Sequence, residues 1–384
     1  MKLCLVSTYP PSKGNLAEYG AEVAHNLSER KEIEELIVLA NKNSNAPKFE
    51  LQGETKVERC WERDSPFFLM SLLRSVSKWE PDIVYFNQHM MSWGSNRVVN
   101  FLGSLAPLLV KKICNVKTVV TLHNLGECVD LSEIPGISSS TLNLTAMRIA
   151  TNLILGADAV TVTLDRFKKA LERNRSKSNV FTVLHGTWEI KEFRELAHDK
   201  RILAFGFWGP TKDLELLIEA YKGLSAEDKE VDLTIAGRSH PNFPGYVEKI
   251  KKNYSELDIE FTGYVPEEDV EEVFFRANVV VLPYKTATGA SGVLNLSKSY
   301  GRPVVAAEIG ELRETVEREG GEVLFYRTGN KEDLEAKLRK VLNDKELQRK
   351  MAEKNYISSK DKTFEEVSIR LVKLFSKVLD DETL

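Results

Sequence analysis

Between residues 282 and 305 the chain reads LPYKTATGASGVLNLSKSYGRPVV: an apolar run, a loop of small residues, then apolar residues at helical spacing. Backbone N–H groups in the first turn of a helix lack intrahelical partners and carry the positive end of its dipole. Those of Ser291, Gly292, Val293 and Leu294 would point at one spot, an anion site suited to a diphosphate. The competing reading is an ordinary N-cap by the Ser291 hydroxyl. The run Gly289-Ala290-Ser291-Gly292 is smaller than a cap requires, which favours the anion site, with Thr288 and Gly289 as part of its loop.

A second candidate is Lys212. The stretch FGFWGPTKDLELLIEA, residues 205 to 220, runs from a strand through a glycine-rich loop into an amphipathic helix. A lysine at a helix N-terminus opposes the dipole, and an anion lying between the two would compensate it. The plainer reading, an amine in water, costs only ~0.3–1 kcal/mol. His123 ends an apolar run in TLHN. There a neutral imidazole bonds a sugar hydroxyl, a phosphate oxygen or nearby backbone, and the residues alone do not choose. His185, in VLHGTW, reads as a turn histidine. TYPPSKGN, residues 8 to 15, holds Gly14 at the entry to a helix, where backbone can approach a ligand closely. It matches neither Gly-x-Gly-x-x-Gly nor a P-loop, and read alone it is a tight turn.

Other patterns are missing from the sequence. There is no Asp-x-Asp to clamp a divalent metal, so no metal site is expected. Without Gly-x-Ser-x-Gly or His-Glu-x-x-His, hydrolase and metalloprotease readings fall away.

The elements that must position these groups follow a repeating pattern. KLCLVS, IEELIVLA, PDIVYFN, KTVVTLHN and DAVTVTL are near-continuous apolar runs with helical stretches between them, as strands buried on both faces of a parallel sheet require. The pattern then restarts with RILAFGFW, VDLTIAG, DIEFTGYV, ANVVVLPY, RPVVAA and EVLFY. Two such sets predict an α/β protein of two doubly wound domains. The expected join is the polar stretch 185–201, and the last helix, FEEVSIRLVKLFSKVL, carries an apolar stripe that must dock on something.

With 384 residues and 42% hydrophobic content, the chain is long enough for two ordinary domains. A net charge of −4 gives no sign of a nucleic-acid partner. Residues 1–190 are slightly basic and the remainder acidic. The run RFKKALERNRSKSN, residues 166 to 179, reads as a solvated helix face, with weak peripheral contact to an anionic membrane as the alternative. The four cysteines, Cys4, Cys60, Cys114 and Cys128, have neither metal-ligand nor Cys-x-x-Cys spacing, which predicts free thiols, with Cys4 in a strand. The N-terminal apolar run is too short for a signal peptide, and no stretch approaches the ~18 apolar residues of a membrane span. A cytoplasmic location is the expectation.

Taken in order, TYPPSKGN, PDIVYFN, TLHN, GADAVTVT, FGFWGPTKDLELLIEAY, GYVPEEDVEEVFFRANVVVLPY and SGVLNLSKSYGRPVVAAEIGELRE resemble a family 4 glycosyltransferase of the GT-B architecture, almost end to end. The resemblance implies two Rossmann-like domains facing across a cleft: an acceptor-side domain over 1–188 and a nucleotide-sugar domain over 189–358. The helix 359–384 would pack back on the first. It also implies retaining transfer of a hexose from a nucleoside-diphosphate sugar to a saccharide or other small-molecule acceptor, without a metal or cofactor. By position, His123 would contact the donor sugar and Lys212 would neutralise the diphosphate, which makes them the expected catalytic pair. Gly14 and Asn15 would sit against the donor phosphate or acceptor. Tyr264 and Val265 would hold the base through backbone atoms, and Ser291, Gly292, Val293 and Leu294 would meet the phosphates. Glu314 matches a glutamate of structural role.

There are departures. The glutamates of the family's Glu-x7-Glu motif fall on Thr288 and Leu296, and its phosphate arginine on Phe207. One branch of the family reads like this chain, with SGVL in place of the acidic motif. The turn is thus expected to keep its phosphate chemistry and give up its usual sugar and ribose contacts, with a thinner positive field and a weak or acceptor-activated enzyme as one consequence. A nucleotide-sugar-binding protein with lost or weak transfer is the alternative, which a cleft blocked by Phe207 or Trp208 would favour. A sugar epimerase is the third reading.

Overall fold

The computed structural model describes residues 1–381 apart from 13–14, 129–140, 175–178, 189, 191 and 198. The described residues form two compact units, one drawn from 1–128, 141–186 and 364–381, the other from 187–363.

In the first unit the chain runs β1 (Lys2–Ser7), α1 (Asn15–Ser28), β2 (Glu35–Asn41), β3 (Phe49–Gln52), β4 (Thr55–Trp61), α2 (Phe68–Trp79) and β5 (Ile83–Gln88). It continues through α3 (Arg97–Cys114), β6 (Lys117–Leu122), α4 (Thr141–Ile154), β7 (Ala159–Val162), α5 (Asp165–Asn174) and β8 (Val180–Thr182). The sheet order is β3-β4-β2-β1-β5-β6-β7-β8, parallel throughout except for β3, which pairs antiparallel with β4 at the edge. The order reverses between β1 and β5, a topological switch point.

The second unit runs β9 (Lys200–Phe205), α6 (Leu214–Glu227), β10 (Val231–Ala236), α7 (Tyr246–Asn253), β11 (Ile259–Gly263), α8 (Glu267–Phe275) and β12 (Val279–Leu282). It ends with α9 (Gly292–Ser299), β13 (Val304–Ala307), α10 (Gly310–Glu319), β14 (Val323–Tyr326), α11 (Lys331–Asn343) and α12 (Lys345–Ser359). Its all-parallel sheet has the order β11-β10-β9-β12-β13-β14, the doubly wound pattern with its switch point between β9 and β12. Neighbouring residues of one strand serve opposite faces. Ile202 and Ala204 join Val279 and Val281 in one apolar cluster, while Leu203 joins Val280 and Leu282 in the other. Burial on both faces is why these strands show no polar alternation.

The last helix, α13 (Phe364–Leu379), belongs to the first unit. Its buried face carries Phe364, Val367, Leu371, Phe375 and Val378, spaced three or four apart so that they share one stripe. Phe375 packs on Tyr85 of β5 at 5.4 Å between ring centroids, and Phe364 on Tyr19 of α1 at 5.2 Å.

One strand, β4, carries too much charge to be read as a strand from sequence. In β4 the Arg59 side chain is buried, yet it pairs with Glu50 of β3 and donates to the Pro10 carbonyl at 2.5 Å. Its neighbour Glu58 is also buried and accepts from Trp79 Nε1 at 2.5 Å and Lys78 Nζ at 3.3 Å. All four cysteines are free thiols, and Cys4 is fully buried in β1.

Candidate functional site

Ligands of open α/β sheets bind outside the carboxyl ends of strands where the order reverses. In the second unit those ends belong to β9 and β12, followed by the loops 206–213 and 283–291.

The first loop folds back tightly. Gly206 has φ +136 and donates its N–H to the Ala236 carbonyl, while Gly237 has φ +108. A Cβ on Gly237 would stand 1.9 Å from the Gly206 carbonyl oxygen, so the two loops touch backbone to backbone. Trp208 is fully buried, and its Nε1 donates to the Ala236 carbonyl at 3.0 Å. It is a core residue of the unit and cannot close a binding crevice, which removes one ground for a blocked site.

Lys212 does not extend from the start of α6 into water. Its backbone pairs with Tyr284 of the second loop, and Asp213 caps α6 by accepting from Leu216 N at 3.3 Å. The half-buried lysine turns back over its own loop, with Nζ 5.4 Å from the Trp208 ring centroid and 5.1 Å from that of Tyr284. A Cβ added at Gly206 would meet this Nζ at 2.9 Å and Val293 Cγ2 at 3.7 Å, so the amine and the first turn of α9 flank one point. Among the described residues no carboxylate pairs with Lys212; the nearby Asp213 carboxylate faces Lys285 instead, at 3.5 Å. Burial alone holds its pKa down at about 8. Cation–π contact with two rings offsets part of that cost.

The first turn of α9 divides between the two readings of the sequence. Ser291 Oγ accepts from Leu294 N at 3.2 Å, so the cap exists and Leu294 is not a free donor, a correction to the anion site drawn from sequence. The geometry explains it, since an extended Ser291 (φ −92, ψ 109) sets its hydroxyl opposite the third N–H of the helix. Gly292 and Val293 keep N–H groups with no acceptor among the described residues. Thr288 and Gly289 lie half-buried in the loop leading in. Leu296 is buried in the apolar cluster with Leu282 and Leu294, so a ribose-binding carboxylate has no counterpart at that position. Tyr264 follows β11 with 43% of its surface exposed, and Val265 packs partly against the same cluster.

Phe207 is half-buried, and a cation sits over it. The Arg238 guanidinium lies 5.4 Å from the Phe207 ring centroid and 5.3 Å from that of Tyr264. The parallel register Phe205–Ala236 carries on past the strand ends, where Trp208 N donates to the Arg238 carbonyl at 2.9 Å. Phe207 and Arg238 are therefore side by side on adjacent strand ends. The sequence reading passed over Arg238, although the rule that singled out other loops applies to it: it follows a strand and a glycine.

In the first unit a second cluster gathers at the ends of β5 and β6. His123 sits 4.5 Å from the Tyr19 ring and 5.9 Å from the ring of His185, which also contacts Tyr19 at 5.0 Å. His185 is thus part of a ring cluster, with a further contact to the Gly186 carbonyl. His123 Nε2 lies 2.6 Å from Asn87 Oδ1, and Asn87 Nδ2 donates to Ser7 Oγ at 2.9 Å and to the Leu16 carbonyl at 3.4 Å. Burial, reinforced by the charges of His185 and His89, keeps the His123 pKa well below the usual histidine value. Burial lowers that of His89 to about 4. Tyr19, inside α1, had no sequence signal, whereas Asn87 and His89 stand at and just past the end of β5, where the strand-end rule applies. Asn15 opens α1, and Gly14 lies outside the described residues.

No group of three or more histidine, cysteine or carboxylate side chains suited to a metal occurs among the described residues, and none of their helices is long and apolar enough to cross a membrane. Of the basic run, α5 buries Phe167 and Leu171, and 175–178 lie outside the described residues.

Residues 164–357 match the family described as Glycosyl transferases group 1. Over 150 residues the chain is 30% identical to the sulfoquinovosyl transferase SQD2 of Arabidopsis thaliana, a match spanning 38% of this chain and 27% of that protein. Among solved structures it resembles sucrose-phosphate synthase from Thermosynechococcus elongatus, with a TM-score of 0.79 and 16% identity over 100% of both chains. It also resembles Anabaena HepE in complex with UDP and glucose, with a TM-score of 0.72 and 16% identity over 98% of this chain and 99% of that one. The fold is that of the GT-B glycosyltransferases.

Proposed function

The chain belongs to the group 1 glycosyl transferases, and from that premise we propose that it moves a hexose from a nucleoside-diphosphate donor to a saccharide or other small hydroxyl acceptor, with retention and without a metal ion. The observation that carries this reading is Lys212, an amine without a carboxylate partner among the described residues, turned toward the first turn of α9 at the switch point. A diphosphate placed there meets one ammonium and the N–H groups of Gly292 and Val293.

Retention needs no protein nucleophile. The bond from the anomeric carbon to the diphosphate oxygen breaks, the bond to the acceptor oxygen forms on the same face, and the acceptor's proton passes to the departing diphosphate oxygen. The protein positions the partners and stabilises charge on the leaving group. Lys212 and the α9 N–H groups take the part a divalent cation plays elsewhere.

UDP is the first diphosphate to test, because the HepE structures contain UDP and UDP-glucose. The experiment is thermal unfolding in chelator against UDP, GDP, ADP, TDP and their sugars. A ligand at about 100 times its Kd adds about 2.7 kcal/mol, and each kcal/mol raises Tm by roughly 2–4 °C. Stabilisation by one base in chelator, followed by product of unchanged anomeric configuration, is the expected result. Binding only with added divalent metal, or an inverted product, defeats the respective part of the reading.

A further inference from the structure

We infer that Arg238 is a second cation of the donor diphosphate site, held in place by Phe207 and Tyr264; this rests on the function proposed above. A nucleoside diphosphate carries more negative charge than the single ammonium of Lys212 balances. Arg238 is a cation on the adjacent loop, just after β10. Lys212 Nζ lies against Gly206, and the Arg238 guanidinium lies over Phe207, so the two charges address consecutive residues of one loop. The Arg238 loop also runs close to Lys212: His240 N donates to the Trp208 carbonyl at 2.7 Å, and the Lys212 charge reaches the His240 ring.

Among the described residues no carboxylate pairs with the Arg238 guanidinium and no oxygen accepts from it, and its Nε is buried without a hydrogen-bond partner. A structural arginine of this protein looks different. Arg302 donates to the carbonyls of Arg194, Tyr300, Phe275 and Ala277, and Arg59, whose Nε and Nη1 are likewise buried without partners, still donates through Nη2 to a carboxylate and a carbonyl. Arg238 has two aromatic rings beneath it, which orient a planar cation without using its donors. Its N–H groups therefore remain for phosphate oxygens, which guanidinium geometry matches in pairs. Phe207 thus positions a cation from the neighbouring strand, so the loop is not thinned of positive charge.

The test measures binding of UDP, GDP, ADP, TDP and inorganic pyrophosphate to the full chain in chelator, by calorimetry, for the wild type, Arg238→Ala, Arg238→Lys, Lys212→Ala and the pair Phe207→Arg with Arg238→Ala. Arg238→Ala is expected to weaken the bound diphosphate, and pyrophosphate with it, roughly 10- to 100-fold, the range for hydrogen bonds to charged groups. Arg238→Lys should recover only part, and Phe207→Arg in the alanine background should restore most of the loss, since the new guanidinium starts from the adjacent strand end. If Arg238→Ala binds as the wild type does while Lys212→Ala does not, the inference is overturned and the proposed function stands. Loss of binding that Phe207→Arg does not relieve, with pyrophosphate affinity unchanged, places Arg238 at the base and also overturns it. Failure of the wild type to bind any probe overturns both.

Discussion

Asn87 decides which nitrogen of His123 carries the proton. Its Nδ2 faces the Leu16 carbonyl, which can only accept, and Ser7 Oγ, which itself donates to the Thr8 carbonyl at 2.7 Å. Nδ2 must therefore donate to both, and Oδ1 must accept from His123 Nε2–H at 2.6 Å. Burial keeps the ring neutral, so Nδ1 is left as a lone-pair acceptor. Of the ligand groups considered for His123, a sugar hydroxyl can donate to such a nitrogen, whereas a phosphate oxygen cannot.

Replacing that amide by a carboxylate changes the tautomer's logic. Asn87→Asp should raise the His123 pKa, and an imidazolium presents an N–H where the lone pair was. The wild-type rate should hold level as pH falls from 8 to 6, while the variant should lose activity over that range. His123→Ala should cost about 2- to 10-fold in kcat/KM at pH 8, the worth of one neutral hydrogen bond. An Asn87→Asp profile as level as the wild type's would refute the assignment.

Lys212 gives donor binding a pH dependence of its own. Its pKa is held down at about 8 by burial in the free protein, and a bound diphosphate raises it. Binding near pH 8 must then take up protons. Affinity should be constant at lower pH and weaken as pH rises through 8. Calorimetry in buffers of different ionisation enthalpy reads the uptake directly, and identical apparent enthalpies in all buffers would count against it.

The same lysine costs stability. A half-buried ammonium with no carboxylate partner among the described residues favours its neutral form in the folded state. Below the unfolded value of about 10.4 the unfolded chain holds the proton more readily. Stability from this group should rise with pH between about 8 and 10.4. Lys212→Met should raise Tm, by roughly 2–4 °C for each kcal/mol recovered, while abolishing the shift given by the diphosphate. A lower Tm would show that the ring contacts outweigh desolvation.

Two glycines separate strain from collision. Gly237 and Gly245 both have positive φ, +108 and +79, but a Cβ would strike the Gly206 carbonyl only at Gly237, and at Gly245 it meets nothing within 4 Å. Gly245→Ala should cost about 1 kcal/mol of backbone strain. Gly237→Ala should cost more and should also spoil diphosphate binding, because it pushes apart the loops carrying Lys212 and Arg238. Urea unfolding of the two variants compares them, and equal losses would mean the loops part freely.

Most of the second unit was legible in the sequence, because strands buried on both faces declare themselves as unbroken apolar runs. In the first unit β4 was not, since Glu58 and Arg59 are charged by type and buried only because Glu50, Trp79 and Lys78 reach them from elsewhere. At the site, Lys212 and the small-residue turn stood out through position relative to a helix start. The Ser291 cap and the anion site looked like rivals, yet the structure divides the turn's N–H groups between cap and free donors. Arg238 stayed hidden for a different reason. Its meaning depends on the register of β9 and β10, which brings it beside a phenylalanine 31 residues earlier in the chain.

The first unit takes residues from both sides of the second, and α13 closes it. During synthesis the chain up to residue 186 must therefore wait, with Tyr85 and Tyr19 lacking their phenylalanine partners, until everything between has left the ribosome. The second unit has all its strands in one continuous segment and can fold as it emerges. The part of the chain made first is completed last, so a chaperone held on the nascent protein would find its apolar binding surface there.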